Sequence, residues 1–379
     1  MSTKHSKAAA EFLKNKKQAA WHDETLWLVR AKRDRLSKEV PEWEELRNMA
    51  CATKLYSNSH LDELLVEFEN NARANGAHVY WAKDADEYCN IVYNILNQHG
   101  VKHFIKSKSM LAEECELNPF FFFFWIEVVE SDLGERILQL MHLKPSHIVL
   151  PAIHIKREQV GELFEREMGT EKGNFDPTYL THAARKNLRQ KFIHAEAAMT
   201  GANFAVASTG EIVVCTNEGN ADMGTSQPKL QIAAFGMEKI VPDRESLGVF
   251  TRLLARSATG QPITTYTSHY RKPREGGELH IIIVDNGRSK ILADPKHIKT
   301  LNCIRCGACM NTCPVYRRSG GYSYTYFIPG PIGINLGMLK APLHYYDNVS
   351  ACSLCYSCSF VCPAKVDLAE QIYLWRQDL

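Results

Sequence analysis

Residues 303–314 read Cys303-Ile304-Arg305-Cys306-Gly307-Ala308-Cys309-Met310-Asn311-Thr312-Cys313-Pro314, and residues 352–363 read Cys352-Ser353-Leu354-Cys355-Tyr356-Ser357-Cys358-Ser359-Phe360-Val361-Cys362-Pro363. Both follow C-x2-C-x2-C-x3-C-P, the spacing with which bacterial-type ferredoxins hold cubane iron–sulfur clusters. Two-residue gaps let three thiolates close around one face of a compact cluster and leave backbone amides to donate to its sulfurs. The fourth cysteine points elsewhere, and the proline after it fixes φ and turns the chain away. In two-cluster proteins that fourth cysteine ligates the other cluster. The expected ligand sets are therefore crossed. Cys303, Cys306, Cys309 and Cys362 hold one [4Fe–4S] cluster, and Cys352, Cys355, Cys358 and Cys313 hold the other. Structural zinc uses two C-x2-C pairs for one tetrahedral site, not triplets with an offset fourth cysteine. Disulfides require a secreted protein, which nothing in the sequence supports.

The rest of the composition is that of an ordinary soluble protein. Of 379 residues, 45% are hydrophobic and 23% charged, with a formal net charge of +2. The length predicts two or three domains. A near-neutral balance gives no argument for a nucleic-acid partner, and no stretch approaches the roughly 20 apolar residues of a membrane span. The N-terminus lacks an apolar signal core, so a cytoplasmic, reducing compartment is expected. Cys51, Cys89, Cys115 and Cys215 are scattered outside the motifs and read as buried apolar residues, not ligands.

Three parts follow in order. Residues 1–57 form a helical, basic arm, with ten Lys/Arg against four Asp/Glu between Met1 and Lys38. It reads either as a helix packed on the domain behind it, with a solvated outer face, or as a docking arm for a partner or an anionic surface. Residues 58–292 alternate strands and helices, which predicts parallel βαβ units in a layered α/β domain. Expected strands are Ala77–Ala82, Val101–Ser107, Ile126–Glu130 and His147–Pro151, and a long helix runs from Pro177 to Met199. Shorter strand-like runs (Asn203–Ala207, Glu211–Thr216, Lys229–Phe235, Thr264–His269 and Leu279–Val284) extend the sheet or form an antiparallel flap. Residues 293–379 form a largely helical ferredoxin-type domain, with a helical run over Gly333–Leu339 and a last helix from near Asp367. Phe120 to Phe124, followed by Trp125, break the local pattern where a polar helix–strand junction is expected. Three readings fit them: an interface patch, an unusual core, or a wrongly assigned stretch of sequence.

Beyond the cysteines, fingerprints are lacking. No G-x-G-x-x-G, Walker A, G-x-S-x-G or H-E-x-x-H sequence occurs, so nicotinamide or flavin binding of the usual kind is not expected, and no catalytic residue is assigned. The cluster loops differ: Arg305 and Gly307 in the first stand where Leu354 and Tyr356 stand in the second. A nearby cation and an accessible backbone stabilise the more negative reduced state, whereas apolar cover opposes it. The cluster held by Cys303, Cys306 and Cys309 is therefore expected to have the higher potential. His182, Arg185 and Arg189 share one helix face, which either binds an anion or is simply solvated. His194 lies off that stripe and reads as packing. The segment from Ser208 to Asp222 reads as a ligand loop or as two hairpin turns.

Longer stretches carry a resemblance. The run Asn174-Phe-Asp-Pro-Thr-Tyr-Leu-Thr-His-Ala-Ala-Arg185, the Ser208–Asn220 segment, Ile283-Val-Asp-Asn-Gly-Arg-Ser-Lys-Ile-Leu292 and Leu301 through Gly321 closely resemble the lactate utilisation protein B family, over about residues 10 to 370. The resemblance implies an α/β domain of the CoA-transferase and ribose-phosphate-isomerase-like kind, joined to a helical two-cluster domain. It also implies a non-catalytic subunit relaying electrons in the oxidation of L-lactate to pyruvate, beside sister subunits A and C and an unidentified electron acceptor. Two alternatives remain: an enzyme whose α/β domain binds a small anionic substrate, and an oxidation-sensing cluster protein. The Phe120–Trp125 run is foreign to the family, whose members also continue beyond the second motif, where this sequence stops at Leu379.

Overall fold

The run Leu279–Val284 is apolar at almost every position because both of its faces are covered. In the computed structural model, which describes residues 4–378, Glu278–Val284 is an interior strand of a six-stranded parallel sheet. The strands are β1 (His78–Ala82), β2 (His103–Lys106), β3 (Glu127–Glu130), β4 (Ala197–Gly201), β7 (Leu230–Gly236) and β10 (Glu278–Val284), in the order β1-β10-β7-β4-β2-β3. Leu279, Ile281 and Ile283 pack with Leu65 and Phe68 of the Leu61–Ala74 helix on one face. Ile282 and Val284 pack with Val92 and Leu96 of the Ala85–Gln98 helix on the other. A continuous β-branched run with helices on both sides is the mark of a parallel sheet.

The remaining strand-like runs separate as their pairing requires. Lys229–Phe235 and Leu279–Val284 extend the parallel sheet. The others build a second sheet in the order β8-β5-β6-β9, from β5 (Phe204–Val206), β6 (Glu211–Thr216), β8 (Ile240–Val241) and β9 (Tyr266–Tyr270). Both expected outcomes for these runs are realised.

Two expectations are corrected. The long helix ends at Ile193, not Met199, and its last turn is closed by His194 Nδ1 on the Gln190 carbonyl at 2.8 Å. Ala197–Gly201 becomes β4 between β2 and β7, since a slot walled on both sides overrides the helix preference of alanine. His147–Pro151 is not a strand. Its amides are spent on an imidazole: Val149 N and Leu150 N both donate to His147 Nδ1 at 3.0 Å. His147 Nε2 in turn meets Asn311 Oδ1 at 2.9 Å, so the segment lies across the first cysteine loop.

The basic arm packs on the cysteine-bearing part of the chain. Its helices are Lys4–Lys14, Lys16–Lys38 and Trp43–Ser59. Leu26, Leu46 and Ala50 enter the same apolar cluster as Met310, Tyr316 and Val361. Arg33 Nη2 donates to the Val361 carbonyl at 3.0 Å, and Arg317 Nε donates to Asp23 Oδ1 at 2.7 Å. Leu28 stays exposed on the outer face.

The phenylalanine run is divided. Phe121 is fully buried, edge-on to Phe104 at 5.4 Å, and Phe120 and Phe124 contact Tyr93. Phe122, Phe123 and Trp125 are 82%, 78% and 91% exposed, too open to serve as core.

Two outcomes are expected. Phe121→Ala costs about 3–5 kcal/mol in urea unfolding, whereas Phe122→Ser, Phe123→Ser and Trp125→Ser together leave the midpoint almost unchanged. Burial holds His147 down to about 3, so below pH 6.5 the unfolded chain takes a proton that the folded one refuses. This contribution is whole above 6.5 and fades as the pH falls towards 3. The stability gap between wild type and His147→Asn should therefore narrow by about 1.4 kcal/mol per unit below 6.5.

Candidate cluster centre and the adjoining cavity

The two cysteine loops have the same backbone. Arg305 and Leu354 take left-handed φ values of 61° and 52°, followed by Gly307 at 77° and Tyr356 at 60°. These turns aim amides back at the leading cysteines: Arg305 N donates to Cys303 Sγ at 3.4 Å and Leu354 N to Cys352 Sγ at 3.3 Å. The offset cysteines are served alike, Cys313 Sγ by Tyr316 N at 3.5 Å and Cys362 Sγ by Val366 N at 3.3 Å. Such donors favour the thiolate a metal requires.

The thiols gather in two sets that cross the motifs. A small cavity of about 20 Å³ is walled by Cys303, Cys306, Cys309 and Cys362. Burial, and next the nearby Cys362, push the Cys306 thiol up to about 12. Burial pushes Cys313 up to about 11, with Cys352 and Cys355 adding to it. Burial raises Cys358 too, followed by Cys313, Cys352 and Cys355. Cys309 feels Cys358 as well as its own set, so it stands where the sets approach. Among the described residues no three cysteine sulfurs lie within 4.8 Å of one another, whereas four thiolates on one zinc sit about 3.8 Å apart.

The two sets differ in exposure and charge. In the first set Cys306, Cys309 and Cys362 are buried and Cys303 is half-buried; in the second Cys313 and Cys358 are buried and Cys352 half-buried, while Cys355 is exposed. Around the first set stand Arg47, whose Nη2 donates to the Cys362 carbonyl at 2.9 Å, and Arg33. Arg305 Nη2 reaches Glu238 Oε1 at 3.4 Å. Glu238 also pairs with Arg288, which holds Glu114 at 2.9 Å, and its carbonyl accepts from Lys54. Burial alone raises a carboxyl, but Arg288 and Arg305 outweigh it and hold Glu238 down to about 2. Burial pulls both Lys54 and Lys239 down to about 8. Near the second set, Arg376 Nη2 donates to the Val349 carbonyl at 3.0 Å.

Against the first loop lies a cavity of about 340 Å³, bounded by Lys108, Gly201, Thr216, Gly236, Lys239, Arg305 and Cys306. It opens at the carboxyl ends of β2, β4, β6 and β7, where open α/β sheets take their ligands. Lys239 Nζ has no hydrogen bond or ion pair among the described residues, and Arg305 Nη1 is buried without a partner. On the far wall, burial and then the neighbouring Asp132 push the Glu218 carboxyl up to about 7. A second cavity of about 430 Å³ shares Glu114, Glu238, Arg288 and Arg305 with the first.

The segment from Ser208 to Asp222 divides in its role. Gly210 turns against the Leu61–Ala74 helix, where a Cβ would lie 2.2 Å from Ala72 N, so that end is structural. Thr216, Asn217, Glu218 and Asn220 line the cavity at the sheet's carboxyl edge. His182, Arg185 and Arg189 are exposed and border neither cavity. Cys215 lines the cavity with its thiol pushed up to about 11 by burial, and Cys89 and Cys115 are buried. Lys54, Glu114, Glu238, Lys239 and Arg288 escape sequence reasoning. The one signal was the Glu238-Lys239 pair one residue beyond the apolar run Leu230–Gly236, at a strand's carboxyl end.

Removing the Glu238 charge strands the buried Arg305 guanidinium and leaves Arg288 to Glu114 alone. Glu238→Gln is expected to lower stability by about 3–5 kcal/mol in denaturant titration, far more than loss of an exposed pair such as Lys14–Glu11.

Comparison with known proteins agrees with this architecture. The LUD domain family matches residues 65–291 and the 4Fe-4S dicluster domain family matches residues 299–366. Lactate utilization protein B of Geobacillus thermodenitrificans (strain NG80-2) is 43% identical over 90% of this chain and 73% of its own length. The uncharacterized electron transport protein YkgF of Escherichia coli (strain K12) is 40% identical over 92% of this chain and 74% of its own. A DUF162 family protein of Deinococcus radiodurans, of known structure, aligns at 14% identity over 59% of this chain and 98% of its own, with a TM-score of 0.33, a likeness too slight to argue from. An α/β LUD domain followed by a dicluster domain with two [4Fe–4S] clusters, at this identity and coverage, places the chain in the lactate utilisation protein B family.

Proposed function

We propose that the chain is a cytoplasmic electron-transfer subunit that serves the oxidation of L-lactate to pyruvate beside sister subunits A and C. Cys303, Cys306, Cys309 and Cys362 hold its first cluster, and Cys352, Cys355, Cys358 and Cys313 its second. The parts are the arm 1–57, the α/β domain 58–292 and the cluster domain 293–379. The observation that carries this reading is the unequal depth of the two cysteine sets. One is buried against the cavity at the sheet's carboxyl edge, and the other reaches the surface at Cys355. A relay needs one end that a partner can approach and one that water cannot.

Bound [4Fe–4S] clusters supply one-electron steps, and lactate releases two electrons and two protons on becoming pyruvate, one electron for each cluster. The chain's own residues set the terms. Ile304, Ile332 and Val366 exclude water from the inner set. Arg33, Arg47 and Arg305 place positive charge beside it, which favours its reduction over that of the outer set. A second reading has one observation in its favour: the unpaired Lys239 Nζ and Arg305 Nη1 suit a small carboxylate bound by this chain itself in the cavity at the sheet's carboxyl edge.

Anaerobic spectroscopy separates the two. L-lactate should reduce the clusters only when subunits A and C are present; reduction in the isolated chain favours the second reading. In redox titration the inner cluster should have the higher potential, and Arg47→Ala should lower it by roughly 60 mV or less, a tenfold change or smaller in its equilibrium, without moving the outer one.

A further inference from the structure

At the amino ends of β1 and β10, opposite the cluster loops, four side chains converge from three elements. His78 and His280 are register partners on the two parallel strands, and Glu278 precedes His280 by two residues on the same face. His99, directly after the Ala85–Gln98 helix, closes the group from above. Glu278 Oε2 lies 2.9 Å from His280 Nε2, and its Oε1 lies 3.2 Å from His99 Nε2. The His78 ring stacks on His280 with centroids 4.8 Å apart. One donor atom each from His78, Glu278 and His280 fall within 4.8 Å of one another, the one such group among the described residues.

The outer nitrogens show which atoms face inward. His99 Nδ1 is 2.8 Å from the Ile95 carbonyl, which can only accept, so Nδ1 carries the proton. In the neutral ring Nε2 is then a lone pair facing a carboxylate oxygen, a contact that either a proton or a metal ion bridging the two would satisfy. His280 Nδ1 is 3.0 Å from the Tyr80 hydroxyl. Rings anchored through one nitrogen and presenting the other are the outer shell typical of metal-binding histidines. Glu278 has no lysine or arginine partner among the described residues.

We propose that His78, Glu278 and His280, with His99 as a fourth donor, bind one divalent late first-row transition-metal ion. Imidazoles with a single carboxylate suit Zn²⁺ and exclude the oxygen-seeking Mg²⁺ and Ca²⁺. The ion pins two strands and the end of the helix over them, so its role is structural.

The test uses the full chain with both clusters intact, handled anaerobically and titrated with ZnCl₂ by calorimetry while iron content and visible absorbance are followed. Wild type should bind one equivalent that His280→Ala weakens at least tenfold, and Zn²⁺ should raise the unfolding temperature of wild type only. Should His280→Ala fail to fold, the exposed His78→Gln replaces it with the same expectation. Zinc taken up by cluster cysteines would survive both substitutions. Equal binding by wild type and His78→Gln, or no uptake by wild type, overturns the proposal.

Discussion

A buried carboxylate is tolerated only when cations replace the water it has lost, and Glu238 meets that demand from every part of the molecule. Arg288 comes from the segment after β10, Arg305 from the first cysteine loop, and Lys54 from the arm, bonded to the Glu238 carbonyl. None of the three parts can shift without leaving a charge uncompensated in the interior. Apolar packing brings arm, sheet and cluster loops together, but this network fixes their register. It also separates the two cavities, each of which borrows Glu114, Glu238, Arg288 and Arg305 as wall.

The cysteine loops are near copies in backbone and opposites in setting. Positive φ at Leu354 and Tyr356 costs more than at a glycine, yet the second loop adopts it as the first does at Arg305 and Gly307. The geometry of the amides is thus held constant while side chains are free to differ. Gly307 has a separate reason to be small, since a Cβ there would come within 3.0 Å of Val149 and 3.1 Å of the His147 ring. The loop that covers the inner set exists because that imidazole gathers its amides.

Legibility followed the range of the interactions. The motif spacing is set by a few adjacent residues, so both loops could be read directly, and the order of thiols and prolines already implied crossed sets. The parallel sheet could be read from apolar runs such as Leu279–Val284. What depended on distant partners could not. Ala197–Gly201 reads as helix until β2 and β7 are in place to flank it. His147–Pro151 reads as strand until Asn311 is seen to hold His147. The charged residues around Glu238 are spread from position 54 to 305 and share no motif. In the Phe120–Phe124 run, identical letters take opposite fates, Phe121 inside and Phe122 outside, which composition cannot distinguish.

The contacts between the arm and the cluster segment also set the timing of assembly. Arg33 meets Val361 across 328 positions and Arg47 meets Cys362 across 315. On a ribosome the arm emerges before the cluster segment; the Arg244–Thr259 helix, with Phe250 and Leu253, can cover part of Leu26, Leu46 and Ala50, and the rest of their cover arrives with residues 303–362. The α/β sheet can close before then, but the inner thiols and the arm's contacts with them wait for Cys362. Arg33 and Arg47 then close over the Val361–Cys362 turn. The docking of the first helices on the cluster segment and the enclosure of the inner thiols thus depend on the same contacts.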